Sequence, residues 1–153
     1  DKLDNCRRAI VALRALTQTT VVACSRFYKT APVDYLDQDW FVNTAVKVAT
    51  RLDAHALLDA LKGIQKQAGR HGDAIRFGPR IIDLDIIFYD ETVIETPELL
   101  IPHPRLHKRR FVLQPICDID PAIVHPILKK DVRALLDRLD DDAQSVKPIC
   151  CDC

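Results

Sequence analysis

The chain has 153 residues, of which 48% are hydrophobic and 29% are charged, as in a globular domain large enough to bury a core. Its 22 basic and 22 acidic residues balance, so the net charge gives no reason to expect a nucleic acid or an anionic membrane as a partner. Because we find no apolar run of membrane-spanning length and no signal-peptide pattern, we expect a single domain over residues 1–153 in the cytoplasm.

The N-terminal part of the sequence predicts a helix followed by two strands. Apolar residues spaced by three and four predict a helix that begins near Asp1 or Asp4 and ends near Thr17. The β-branched and aromatic residues of 19–30 predict a strand. The alternation of apolar and polar residues over 40–50 predicts another, with one core face and one polar face.

The second half of the sequence predicts further helices and one more long strand. Asp53 fits the N-cap of a helix with leucines on one side, which should end before the glycine-bearing loop 68–79. This order of elements is typical of an α+β two-layer fold in which helices cover one face of a mostly antiparallel sheet. The remaining predicted elements are a strand within 77–90, a hairpin at 89–96 and helices at 106–113 and 131–139.

The six cysteines fall into two groups. Cys6, Cys24 and Cys117 lie among apolar neighbours and are predicted to be small core residues in a reducing compartment. The other three close the chain in the sequence CCDC, Cys150, Cys151 and Cys153. This tail could bind a soft metal, but the sequence offers no matching pair of ligands elsewhere, so a tail without a function is favoured over a zinc site.

The segment 77–90, FGPRIIDLDIIFYD, places two aspartates in the most hydrophobic part of the chain. Alternation puts the apolar side chains at the even positions of 82–88 on a face toward the helices, and Asp83 and Asp85 together on the other face. Two like charges about 7 Å apart, as a rise of about 3.3 Å per residue implies, repel each other unless a cation lies beside them. A hard divalent ion such as Mg²⁺, which also takes phosphate oxygens, fits this position. A solvated sheet face paired with arginines is the alternative.

Basic residues flank the two aspartates on both sides. Upstream they are interleaved with glycines between Lys66 and Arg80, and downstream the sequence HPRLHKRR, 103–110, supplies histidines, a lysine and arginines. Guanidinium groups match phosphate oxygens bidentately, and a metal with arginines is the usual equipment of phosphoryl transfer. Nucleic-acid binding is the competing use of such clusters, but aromatic residues that could stack on bases make up only 6% of the chain.

The sequence RFGPRIIDLDIIFYD, 76–90, resembles the pattern of the 6-hydroxymethyl-7,8-dihydropterin pyrophosphokinase family of folate biosynthesis. Further matches follow in the family's order over nearly the whole chain: SRFYKTAPV, FVNTAV, AGR, IPHPRLHKRRFVL and PICDIDP. The resemblance implies a ferredoxin-like α+β fold. It also implies an enzyme that transfers pyrophosphate from ATP to the hydroxymethyl group of the dihydropterin and releases AMP.

The resemblance further implies roles for individual residues. Asp83 and Asp85 match the aspartates that bind two Mg²⁺ ions, and Arg70 and Arg80 match loop arginines that clamp phosphates; all four are candidate catalytic residues. The candidate ATP-binding residues are Arg70, Arg80, His103 and Arg109. The candidate pterin-binding residues are Thr30, Val33, Phe41, Asn43 and Phe111. Phe77 stands where a lid aromatic is usual, in the loop 68–79 that we expect to close over the substrates.

The sequence departs from the family pattern in three places. Members of the family begin with a strand and a Gly-Ser-Asn-Leu-Gly-like turn, and this chain begins where that turn would just have ended, so we expect the sheet to lack its first strand. Gln65 stands where the family usually has a glutamate. Glu98 and Leu100 stand where some members have an arginine and a threonine near ATP.

Two other functions remain open from the residues themselves. Another Mg²⁺-dependent phosphoryl or nucleotidyl transferase could use the same aspartates and would differ in its products. A noncatalytic ferredoxin-like binding module would have no activity for Asp83→Ala to remove. For the pyrophosphokinase we expect ATP and the dihydropterin as substrates, no membrane or nucleic-acid partner, and a monomer.

Overall fold

The structure is a computed structural model that describes residues 1–31, 40–69, 81–139 and 145–149. In this part of the chain, helices combine with short strands in three antiparallel sheets. The helices are α1 (Lys2–Arg14), α2 (Ala54–Gly69), α3 (Arg110–Ile119) and α4 (Val132–Asp137), with one 3-10 turn at Leu106–Lys108. The strands are β1 (Thr19–Cys24), β2 (Tyr28–Thr30), β3 (Phe41–Asn43), β4 (Val46–Thr50), β5 (Ile94–Glu95), β6 (Leu100–Ile101) and β7 (Val146–Pro148).

Aspartate side chains cap three of these helices, because a carboxylate can accept hydrogen bonds from backbone N–H groups that a first helical turn leaves without a partner. Asp1 accepts from Leu3 and Asp4 at the start of α1. Asp53 accepts from the N–H of Ala56 at 2.8 Å at the start of α2, and Asp131 caps α4 in the same way. The predicted helix starts near Asp1, Asp53 and Asp131 are therefore confirmed.

The two strands predicted over 19–30 and 40–50 are each divided in two. β1 pairs with β4, whereas β2 pairs with β3 on one side and β7 on the other, all antiparallel. At the break, the Ser25 hydroxyl accepts a hydrogen bond from the N–H of Ala45 at 2.8 Å and lies 3.0 Å from Thr44 Oγ1. A side chain that satisfies backbone groups in this way lets the chain leave the regular ladder.

Residues 81–89, here called the aspartate segment, belong to no helix or strand, so the predicted strand within 77–90 is wrong over its described part. A strand needs a neighbour to complete its ladder, and no strand in the described ranges pairs with this segment. The predicted alternation does hold at its start, because Ile82 and Leu84 are half-buried whereas Asp83 and Asp85 are exposed.

The hairpin lies further along the chain than predicted. The sequence indicated 89–96, whereas β5 and β6 pair Ile94 with Ile101 around a turn at 96–99. Within that turn the Thr96 hydroxyl bonds to both the N–H and the carbonyl of Leu99. Such local hydrogen bonding by threonine fixes a turn, and it was not read from the sequence.

The core of the described residues consists of two clusters. The first joins α1, α2 and the β5–β6 hairpin with Leu84 and Ile86 of the aspartate segment. The second joins α3, α4 and Leu106 with Ile87 and Phe88. The aspartate segment therefore passes from one cluster to the other, so that Leu84 and Phe88 pack against different helices. The predicted α+β class with antiparallel sheets is confirmed.

The described cysteines have different environments. Cys6 is buried and Cys117 is half-buried, whereas Cys24 is exposed, so its predicted place in the core is wrong. Cys24 ends β1, where exposed and more buried positions alternate along the strand. The cysteine tail lies outside the described residues. None of the helices in the described ranges is long and apolar enough to cross a membrane.

Candidate active site

Asp83 and Asp85 are both exposed at the surface of the aspartate segment. They are flanked by apolar side chains that pack inward, Leu84 and Ile86 among them. The core thus fixes the inward side chains while the carboxylates remain accessible to a ligand. The exposure of both carboxylates agrees with the predicted alternation at the start of the segment.

Two hydrogen bonds hold the backbone on either side of Asp85. The N–H of Leu84 donates to Gln65 Oε1 of α2 at 2.8 Å. The carbonyl of Ile87 accepts from the N–H of His103 at 3.0 Å. Because the segment has no strand partner among the described residues, these contacts take the place of ladder hydrogen bonds.

His103 brings the downstream basic stretch to the aspartates. Burial lowers the pKa of its imidazole, the negative charge of Asp85 raises it in part, and the positive charges of Arg109 and Arg105 lower it further. Nδ1 of His103 accepts a hydrogen bond from the N–H of Arg105 at 3.2 Å. A neutral imidazole that accepts at Nδ1 carries its proton on Nε2, so Nε2–H is the group available to donate to an anionic ligand.

A cavity of about 270 Å³ opens beside Asp85 and His103. Its volume is close to the lower end of ordinary small-ligand sites, roughly 300 Å³. Apolar side chains form most of its wall and Glu98 adds a carboxylate. The remaining lining residues are Leu58, Ile86, Pro97, Leu99, Leu100 and Pro104.

Three of the predicted pterin-binding residues lie together on the β2–β3 pair. Thr30 pairs with Phe41 in the ladder, and the Asn43 side-chain amide donates from Nδ2 to Thr30 Oγ1 at 2.7 Å. Phe41 is 43% exposed, and the ammonium group of Lys2 lies 5.1 Å from its ring centre. An exposed ring beside an oriented amide can both stack on a flat heterocycle and hydrogen-bond to its edge.

The other described candidates lie at the start of α3. Phe111 is half-buried, and the guanidinium carbon of Arg109 lies 5.5 Å from the centre of its ring. The helix α3 packs against β2 and β3. Phe111 is thus carried by an element in direct contact with the strands that carry Thr30 and Asn43.

A network that we did not predict joins β2 to α3. Asp118 accepts hydrogen bonds from the Tyr28 hydroxyl at 2.7 Å and from Arg26 Nε and Nη2 at 3.1 Å each. Tyr28 is only 2% exposed. Burial raises the pKa of the Asp118 carboxyl, but the hydrogen bonds from Arg26 and Tyr28 outweigh burial and lower it overall. The motifs SRFYKT and PICDIDP contain all three residues, and their presence in the matched pattern was the available clue.

Several predicted site residues lie outside the described ranges. They are Val33, Arg70, Arg80 and the lid aromatic Phe77. The described candidates form two groups, one around the aspartate segment and His103, and one around β2, β3 and α3.

Comparison with known proteins identifies relatives over most of the chain. A family model described as 7,8-dihydro-6-hydroxymethylpterin-pyrophosphokinase matches residues 1–121. The folic acid synthesis protein FOL1 of Dictyostelium discoideum is 41% identical over 128 residues, which cover 84% of this chain but 19% of that protein. This chain therefore spans about a fifth of the length of that relative.

Two bacterial relatives match over more of their own length, and both are named 2-amino-4-hydroxy-6-hydroxymethyldihydropteridine pyrophosphokinase. The Bacillus subtilis (strain 168) protein is 41% identical over 113 residues, which cover 74% of this chain and 67% of the relative. The Methylorubrum extorquens protein is 38% identical over 140 residues, which cover 92% of this chain and 87% of the relative.

Proposed function

This chain belongs to the 7,8-dihydro-6-hydroxymethylpterin-pyrophosphokinase family, and we propose that it transfers the terminal pyrophosphate of ATP to the hydroxymethyl group of 6-hydroxymethyl-7,8-dihydropterin. The observation that supports this reaction best is the cavity shared by Asp85 and His103. It joins a carboxylate suited to a metal ion with a neutral imidazole able to donate to phosphate.

Asp83 and Asp85 are proposed to hold Mg²⁺ together with the phosphates of ATP. The donor set fits this ion, because two exposed carboxylates supply hard oxygen ligands. In the described ranges no group of three or more His, Cys, Asp or Glu side chains could hold a metal, so phosphate oxygens and water would complete the coordination. When bound, Mg²⁺ supplies positive charge that neutralises the phosphates. The family resemblance implies two such ions.

The rest of ATP is proposed to occupy the cavity and the basic residues around it. The apolar wall formed by Leu99, Leu100 and Ile86 suits a nucleobase. The Nε2–H of His103 and the guanidinium of Arg109 would bind phosphate oxygens, as charge-assisted hydrogen bonds to phosphate are strong. We also propose phosphate-clamping roles for Arg70 and Arg80, which lie outside the described ranges.

The dihydropterin is proposed to bind on the β2–β3 pair beside α3. The hydrogen bond from Asn43 to Thr30 fixes the amide and leaves Asn43 Oδ1 to accept from the pterin edge. The rings of Phe41 and Phe111 would stack on the pterin faces. A pterin-binding role is also proposed for Val33, which lies outside the described ranges.

The chemistry is an in-line displacement at the β-phosphorus. The hydroxymethyl oxygen forms a bond to the β-phosphorus. The bond between the β-phosphorus and the α,β-bridging oxygen breaks, and AMP leaves with the bridging oxygen. The hydroxyl proton is lost to solvent. The protein residues position the two substrates and neutralise charge, which can supply most of the rate enhancement in phosphoryl transfer. The single-domain organisation, the monomeric state and the cytoplasmic location remain predictions.

Product analysis tests the proposal. The chain is incubated with ATP, Mg²⁺ and 6-hydroxymethyl-7,8-dihydropterin, and the nucleotides are separated by ion-exchange chromatography. We expect one AMP for each dihydropterin consumed, and AMP release slower by about 10²–10³-fold with Asp83→Asn. Formation of ADP would instead support a phosphoryl transferase, and binding of the pterin without nucleotide turnover would support a noncatalytic module.

A further inference from the structure

Gln65 of α2 contacts the aspartate segment at the residue between the two candidate metal ligands. Gln65 Oε1 accepts from the N–H of Leu84 at 2.8 Å, and Leu84 lies between the two candidate metal ligands. Gln65 is half-buried, which limits the access of water to this hydrogen bond. The contact therefore fixes the backbone at the one residue that is adjacent to both carboxylates.

The same helix also holds Leu84 through its side chain. Leu84 packs in the first core cluster with Leu61 and Ile64 of α2, which lie within one turn of Gln65. The side-chain packing fixes which way Leu84 points, and the hydrogen bond fixes the rotation of its peptide group. Together they set the directions in which Asp83 and Asp85 leave the backbone.

The second backbone anchor lies beyond Asp85. The N–H of His103 donates to the carbonyl of Ile87 at 3.0 Å. This anchor acts beyond Asp85 and does not contact the peptide between Asp83 and Leu84, so it does not replace the contact from Gln65. Mg²⁺ demands near-octahedral geometry, and small errors in the placement of reacting groups can reduce a rate about 100-fold.

We infer that Gln65 is a positioning residue for Asp83 and Asp85, acting through the backbone N–H of Leu84. The inference rests on the proposed function, because it assigns Gln65 to the metal site of that reaction. The role requires an acceptor oxygen at the end of a side chain of this length, and it requires no charge. Glutamate should therefore replace glutamine, whereas leucine and the shorter asparagine should not.

The first test measures the contact without substrates. Amide hydrogen exchange at Leu84 is followed by NMR in the wild-type chain, Gln65→Leu, Gln65→Asn and Gln65→Glu. We expect exchange to be about fivefold faster in the leucine and asparagine variants, as for the loss of one neutral hydrogen bond, and unchanged in the glutamate variant. Gln67→Leu is the matched control, because Gln67 is an exposed glutamine of the same helix.

The second test measures metal binding and turnover in the same proteins. Mn²⁺ affinity is determined by electron paramagnetic resonance with a nonhydrolysable ATP analogue, and kcat and KM by AMP release. We expect Gln65→Leu and Gln65→Asn to bind Mn²⁺ about tenfold more weakly and to lose about tenfold in kcat, as when groups that orient metal ligands are removed. The KM for the dihydropterin should be unchanged in these variants. Gln65→Glu should keep the Mn²⁺ affinity and the kcat of the wild-type chain.

The outcomes separate the inference from the function on which it rests. If the wild-type chain releases no AMP, the proposed function is contradicted. If the wild-type chain is active but Gln65→Leu and Gln65→Asn keep its Mn²⁺ affinity and kcat, the positioning role is contradicted. Equal losses in Gln67→Leu would also overturn it, because the effect would then belong to the helix and not to the contact with Leu84.

Discussion

The two proposed substrate-binding regions are held in place by different means. The pterin region rests on paired strands, β2 with β3 and β7, and the Arg26–Asp118–Tyr28 network ties these strands to α3. The aspartate segment has no strand partner in the described ranges, and hydrogen bonds from α2 and from His103 hold its backbone. The pterin surface is therefore built into the sheet, whereas the geometry of the metal ligands depends on a few individual contacts.

The largest expected effect is the loss of activity when a proposed metal ligand is removed from the aspartate segment. Asp85→Asn removes a proposed metal ligand, so we expect kcat to fall by about 10²–10³-fold, as when a group that stabilises transition-state charge is lost. Calorimetry should show weaker binding of the Mg²⁺–nucleotide complex and unchanged binding of the pterin. Asp90→Asn is the matched control, because Asp90 is exposed with a φ of 49°, a conformation that asparagine tolerates. An equal loss in both variants would contradict the assignment.

The reverse effect is expected in the pterin region. Asn43→Ala removes the amide that is fixed by Thr30, and a lost hydrogen bond to a buried ligand group costs about 1–3 kcal/mol. We expect calorimetric affinity for the pterin to fall by about 5- to 150-fold while Mg²⁺–nucleotide binding stays the same. Asn5→Ala on α1 is the control for loss of an asparagine. Unchanged pterin affinity would remove Asn43 from the site.

A smaller effect is expected when one tyrosine hydroxyl is removed from each region. Tyr28→Phe breaks the hydrogen bond to Asp118, and Tyr89→Phe breaks the one that Tyr89 donates to the carbonyl of Leu52. The free energy of unfolding should fall by about 1.5–3 kcal/mol in Tyr28→Phe, whose partner is a carboxylate, and by about 1 kcal/mol in Tyr89→Phe, as measured by urea denaturation. We expect Tyr28→Phe to weaken pterin binding and Tyr89→Phe to weaken metal binding. The comparison fails if both variants weaken the binding of the same ligand.

The smallest expected effect is a dependence of stability on pH at a buried histidine whose ring packs edge-on against Phe88. His125 is 4% exposed, its Nδ1 accepts from the N–H groups of Ile127 and Leu128, and burial and then the positive charge of His107 lower its pKa. The unfolded state thus binds more protons below the ordinary histidine pKa of about 6.5. The contribution of neutral His125 is complete above that pH and is lost as the pH falls toward the lower folded pKa.

Thermal unfolding between pH 7.5 and 5.5 measures this dependence. The midpoint should fall on acidification in the wild-type chain and fall less in His125→Asn, whose side-chain oxygen can accept the same backbone hydrogen bonds without titrating. His55→Gln is the control, because His55 is exposed. If His125→Asn keeps the full wild-type slope, another group is responsible.

The sequence predicted the features that depend on local patterns. The aspartate caps, the α+β class and the outward direction of Asp83 and Asp85 follow from rules that involve neighbouring residues. The division of 19–30 and 40–50 into four strands was not predicted, because it depends on a contact between Ser25 and Ala45 that lie 20 positions apart. The aspartate segment likewise forms no strand because no strand in the described ranges lies beside it as a partner, and the alternation of its own residues cannot reveal that.

The same distinction between local patterns and long-range contacts applies to the candidate site. Asn43, Thr30 and Phe41 were found from matched motifs, and the structure places them on one strand pair. The roles of Gln65 and Asp118 were missed, because both act through long-range hydrogen bonds to Leu84 and Tyr28. Such contacts show no periodicity and become evident only when the chain is folded.

One measurement tests the central claim most directly. The chain is supplied with Mg²⁺ and the dihydropterin, together with ATP labelled with ³²P at the β-phosphorus in one reaction and at the γ-phosphorus in another, and the pterin product is isolated. Pyrophosphate transfer predicts that both labels enter the pterin with equal yield and that AMP is released. Entry of the γ label alone, with release of ADP, would contradict the account.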